Sequence, residues 1–137
     1  MKNITQKHGY GCGVACVATI LGCAYDTALG KFRNPGNARS KGYTCREIVA
    51  ALSRGGRGYG YCYLKPAQKH RMKNIGTIVY VAKSKRWPAG HYLVKTEKGW
   101  MNPWINFPLI APARSGFQSR LPGRAVYAIF PVMNPSS

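Results

Sequence analysis

The chain has 137 residues, 45% of them apolar, enough for one domain with a core that stands without disulfides and unlike the composition of disordered sequences. Against 21 Lys and Arg there are only three carboxylates, Asp26, Glu47 and Glu97, so the formal net charge is +18 at pH 7. Such a charge either attracts polyanions (nucleic acid, an anionic membrane, an acidic protein) or simply solvates a very basic surface, and it bears on partners rather than on chemistry. The longest mostly apolar stretch, Val14 to Ala24, is too short to span a bilayer. Met1 to Tyr10 is polar and has no signal-peptide core, so a cytoplasmic, reduced protein is expected. The five cysteines, an odd number, fit that setting, with 16, 23, 45 and 62 read mainly as small apolar side chains.

Residues 12 to 23 (CGVACVATILGC) are apolar or small on almost every side, which predicts a central buried helix. Gly9, Gly11 and Gly13 around its start allow close backbone approach. A short second helix is expected over Asp26 to Phe32, then a polar loop from Asn34 to Gly42. Thr44 with Glu47 three residues on is a capping-box pattern, so Cys45 to Arg54 should form a helix with Ile48, Val49, Ala51 and Leu52 inward, ending at Gly55-Gly56. Strand signals follow at Gly58 to Leu64 and Thr77 to Ala82. The runs Gly90 to Thr96 and Gly99 to Asn102 read as a hairpin turning at Glu97-Lys98. Pro103 to Gly123 lacks periodicity and reads as an ordered surface loop. Ala125 to Pro131 is a closing strand. Helices first and an antiparallel sheet afterwards is the α+β order.

Cys12 stands at the predicted start of the buried helix, where the dipole favours a thiolate by about 0.3–2 kcal/mol; an imidazole must supply the rest of its activation. Of the three histidines, His8 lies on the approach to the helix and His70 in a Lys/Arg-rich segment. His91 opens a strand, and Asn102 ends the next strand of the hairpin, where its amide can orient the imidazole: the Cys-His-Asn arrangement. His8, Cys12 and Cys16 share a four-residue period, yet a structural zinc site needs four ligands, and no metal or other cofactor is expected. Cys16, one turn deeper than Cys12, reads as packing.

Gln6, five residues and then Cys12-Gly13-x-Ala15-Cys16 resembles the opening of the bacteriocin-processing peptidases, papain-like domains that head peptide-exporting transporters and have free-standing relatives. Gly90-His91-Tyr92-Leu93-Val94 is similar to that family's Gly-His-Phe-Val-Val strand, Asn102-Pro103 to its closing Asp-Pro, and Gly42-Tyr43-Thr44 to the start of its second helix. The resemblance runs from Gln6 to Pro103. It implies a papain-like fold with Cys12 as nucleophile, His91 as base, Asn102 as orienter and Gln6 as oxyanion donor beside the Cys12 amide. Gly11 replaces the family's usual Asp, and Asn102 its Asp.

The resulting expectation is a single-domain cysteine peptidase acting on a peptide or isopeptide bond, with Gly11, Gly90 and Trp104 along the substrate cleft. Trp87, Trp100 and Trp104 are also core candidates. The substrate is read as a peptide or protein, acidic if the charge selects it, with nucleic acid a further partner for the basic surface. Two rivals stay open: a polyanion-binding protein on an inactive scaffold of the same kind, and a transferase or amidase using the same triad. Oligomeric state is not legible in the sequence.

Overall fold

The computed structural model describes residues 1–108 and 112–132. Among these described residues four α-helices come first, α1 (Cys12–Leu21), α2 (Tyr25–Leu29), α3 (Asn37–Ser40) and α4 (Cys45–Arg54). Six strands follow: β1 (Tyr59–Tyr63), β2 (Ile78–Val81), β3 (His91–Thr96), β4 (Gly99–Asn102), β5 (Gly116–Gln118) and β6 (Ala125–Pro131). They form one sheet in the order β1-β6-β2-β3-β4-β5 with every pairing antiparallel. The architecture is therefore α+β, with the helices N-terminal to an antiparallel sheet.

α1 is buried from Gly13 to Ile20 because nearly all its side chains are apolar or small. Gly11 precedes it without any side-chain cap, which leaves the first-turn amides free for another acceptor. α4 is held at its start as its sequence requires. The Glu47 amide donates to Thr44 Oγ1 at 3.2 Å, and Glu47 Oε1 accepts from the Thr44 amide at 2.9 Å. Ile48, Ala51 and Leu52 face the core, where each of the two larger side chains contributes about 1.5–3 kcal/mol by leaving water. Both helices pack on one face of the sheet, against Ile78, Val94, Met101 and Ile129.

That face continues beyond the helices. The next row across the strands is Tyr63–Tyr127–Tyr80–Tyr92, residues paired directly from β1 through β6 and β2 to β3. Because paired residues point to the same side, the four rings form one ladder that the helices leave uncovered at its outer end.

Several expectations are adjusted. The second helix is Tyr25–Leu29, shorter and earlier than expected, and the polar loop contains α3. Pro66–Lys73 forms 3₁₀ turns that carry His70. The stretch from Pro103 to Gly123 contains β5, which pairs Trp100 with Gln118 and Asn102 with Gly116; three residues are too few to show an alternation, and the open edge of β4 supplies their partner. Residues 109–111 of that expected loop lie outside the described residues. β6 closes the chain as expected but inserts between β1 and β2 rather than adding at an edge. All five cysteines are free, with Cys16 and Cys45 buried and the other three half-buried. Among the described residues no helix is long and apolar enough to cross a membrane.

Candidate active site

A cavity of about 1050 Å³ opens between the start of α1, the start of α4 and the β2–β3 region. Gln6, Cys12, Gly90, His91 and Trp104 line it, so residues spread over most of the chain meet at one place. Asn102 lies behind the wall, fully buried.

The histidine is held by its partners. His91 Nε2 lies 2.7 Å from Asn102 Oδ1. A carboxamide oxygen only accepts, so Nε2 carries the proton and the neutral ring keeps its lone pair on Nδ1. The orientation of the Asn102 amide is itself over-determined. Its Oδ1 also accepts from the Trp104 amide at 3.0 Å, and its Nδ2 donates to Gln118 Oε1 at 2.8 Å. Gln118 Nε2 in turn donates to the Arg120 carbonyl. A reversed Asn102 amide would set Nδ2 against the Trp104 N–H and Oδ1 against Gln118 Oε1, and lose both of those bonds. Trp87 stacks flat on the imidazole, with centroids 3.8 Å apart and planes 4° from parallel, and Phe107 packs on both Trp87 and Trp104.

Burial lowers His91 from its ordinary 6.5 to about 4; the Asn102 hydrogen bond opposes this and the Arg86 charge adds to it. Cys12 is pushed up to about 11, again chiefly by desolvation. The amides of Tyr92, Gly13 and Cys12 itself are directed at its sulfur and pull the other way. Backbone amides at the uncapped start of α1 thus favour the thiolate, but burial outweighs them. At pH 7 both the Cys12 thiol and the His91 imidazole are neutral. Tyr92, the residue following His91 on β3, lines the same cavity as Cys12.

Gln6 is buried, but its Nε2 donates to the carbonyls of His8 (2.9 Å) and Gly9 (3.2 Å), and its Oε1 has no partner among the described residues. The expected oxyanion donor is thus turned toward its own loop. Gly11 was expected to face the substrate; it instead sits behind the wall, where a Cβ would collide with the Tyr25 hydroxyl. Gly90 does line the cleft, at φ 78°, with its α-carbon packed against the Tyr80 hydroxyl. His8 is anchored to the Tyr25 hydroxyl at 3.0 Å. Among the described residues no three His, Cys, Asp or Glu side chains gather as a metal-binding set.

Sequence reasoning missed Gln118, which lies in a stretch without periodicity, and the stacking role of Trp87, which had been grouped with the other tryptophans as core. The Trp-Pro-Ala-Gly turn just before His91 was the available signal for the second. No family model, curated protein or solved structure matches the chain.

Proposed function

We propose that the chain is a papain-like cysteine peptidase that cleaves a peptide or isopeptide bond through a thioester at Cys12. The observation that carries this reading is the 2.7 Å bond from His91 Nε2 to Asn102 Oδ1, behind the wall of the cleft onto which Cys12 opens. It leaves His91 Nδ1 as the base.

The Cys12 proton passes to Nδ1 as sulfur attacks the carbonyl carbon, and the carbonyl oxygen becomes an oxyanion. The C–N bond then breaks, Nδ1–H protonates the departing amine, and a thioester remains. Water attacks it, giving its proton to Nδ1, and the acid leaves as the proton returns to sulfur. Gln6 serves the oxyanion only if its amide turns and gives up the His8 and Gly9 carbonyls. Two hydrogen bonds of about 0.5–1.5 kcal/mol each are the cost that oxyanion binding must exceed.

A small activated ester, p-nitrophenyl acetate, tests the chemistry without knowledge of the substrate. A stoichiometric burst with the acetyl group mapped to Cys12 by mass spectrometry, lost in His91→Ala, is expected. Acetylation spread over lysines and indifferent to His91 would sink the proposal.

One observation favours a second reading, a polyanion-binding protein on an inactive scaffold of this kind. Both Gln6 amide protons are engaged by the carbonyls of His8 and Gly9. In that case Cys12→Ala leaves binding and biological effect intact, whereas charge reversal on Lys and Arg removes them.

A further inference from the structure

The tyrosine ladder runs into the cavity that Cys12 lines. Tyr92, its innermost member, is 6% exposed; Tyr80 is half-buried, Tyr127 is 37% exposed and Tyr63 is 51% exposed. Tyr80, Tyr92, Tyr127 and the exposed Tyr61 line the same cavity as Cys12 and His91. The ladder therefore forms a graded floor from the open β1 edge of the sheet down to the candidate nucleophile. From Tyr63 to Tyr92 it crosses three strand-to-strand steps, about 14 Å at the usual spacing and the reach of about four extended residues.

Neighbouring rings meet at an angle, although Tyr63 and Tyr127 also stand open to solvent. Tyr63 meets Tyr127 edge-on at 80°, and the Tyr127–Tyr80 and Tyr80–Tyr92 pairs are tilted by 52° and 56°. A nucleobase platform offers open ring faces on which bases stack; here neighbouring rings stand at 52° to 80° to one another, which suits stacked bases less well than an extended chain. What remains is a ribbed wall of ring edges, with the Tyr63 and Tyr127 hydroxyls unpartnered among the described residues. Such a wall suits an extended polypeptide. Its rim is cationic: Lys41, Arg46 and Lys83 line the cavity, are exposed, and have no ion pair among the described residues. The one carboxylate on that rim, Glu47, is committed to the α4 cap.

We propose that the cleft binds an acidic polypeptide in extended form, with about four residues on one side of the reacting carbonyl laid across Tyr92, Tyr80, Tyr127 and Tyr63, and its carboxylates met by Lys83, Lys41 and Arg46. The assignment rests on Cys12 as the reacting centre but is measured without any turnover.

The test uses the full chain carrying Cys12→Ala, so that loss of chemistry and loss of recognition are separate results. Fluorescence anisotropy reports binding of a labelled decapeptide pool with Asp or Glu at half its positions, against the same pool with Asn and Gln, and against a ten-nucleotide oligothymidylate. The acidic pool is expected to bind best and to weaken as salt rises. Tyr63→Ala with Tyr127→Ala should weaken it about tenfold, on the scale of two lost aromatic contacts. Lys83→Glu, an exposed change that leaves the core untouched, should weaken the acidic pool and not the neutral one. Three outcomes overturn the proposal: equal binding of the two pools, an acidic-pool affinity indifferent to both variants, or tighter binding of the oligonucleotide that responds to the tyrosines. The last would assign the face to single-stranded nucleic acid.

Discussion

Acidification should destabilise this protein chiefly through one side chain. His91 falls from 6.5 to about 4 on folding because its ring is enclosed between Trp87 and the buried Asn102. Between those two values the unfolded chain binds a proton that the folded chain refuses, so lowering the pH favours unfolding. The contribution is complete above about pH 6.5 and is lost as the pH falls toward 4. At about 1.4 kcal/mol for each pH unit that gap amounts to roughly 3 kcal/mol, a large share of the 5–15 kcal/mol typical of a domain. The background is small, since the sequence holds only three side-chain carboxylates. Urea unfolding followed by tryptophan fluorescence at pH 7.5, 6, 5 and 4 measures the effect. His91→Phe, which keeps a ring against Trp87 but cannot titrate, is the reference. The wild type should lose roughly 3 kcal/mol more than the variant across that range. Parallel curves would mean that His91 is protonated as easily folded as unfolded, and the account of an enclosed neutral imidazole would be wrong.

Three further outcomes are expected. Gln118→Leu leaves the buried Nδ2 of Asn102 without its acceptor, at a cost of about 1–3 kcal/mol; with only the Trp104 amide left to fix the carboxamide, ¹⁵N NMR should find a smaller share of His91 with its proton on Nε2. Alkylation of Cys12 by iodoacetamide should climb with pH toward about 11, as sulfur is deprotonated against burial, and a reactive plateau already present at pH 5 would reveal a standing thiolate–imidazolium pair instead. Gly90→Ala should destabilise by more than the roughly 1–2 kcal/mol of a left-handed backbone, because the new methyl also meets the Tyr80 hydroxyl; thermal denaturation reads it.

Much of the architecture was legible because local rules and tertiary needs coincide. The α4 cap is written in Thr44 and Glu47, and the structure makes both of its bonds. The hairpin that brings His91 and Asn102 together follows from two alternating runs around Glu97-Lys98, with Val94 paired to Met101. β5 was not legible, since a three-residue strand carries no period and exists only because β4 offers an edge. Gln118 was hidden for the same reason. The Gln6 amide was hidden for another: its direction depends on the carbonyls of His8 and Gly9, whose placement is set by how the chain enters α1.

By itself the amino-acid order determined the helix-then-sheet class, the basic surface and the residues able to form a thiol, imidazole and carboxamide set, because composition and short-range periodicity act through neighbours along the chain. Only the tertiary structure decided the charge state of that set and the tyrosine floor leading to it. Desolvation depends on everything packed around a group, and a row across four strands joins residues that are distant in sequence and meet only through sheet pairing.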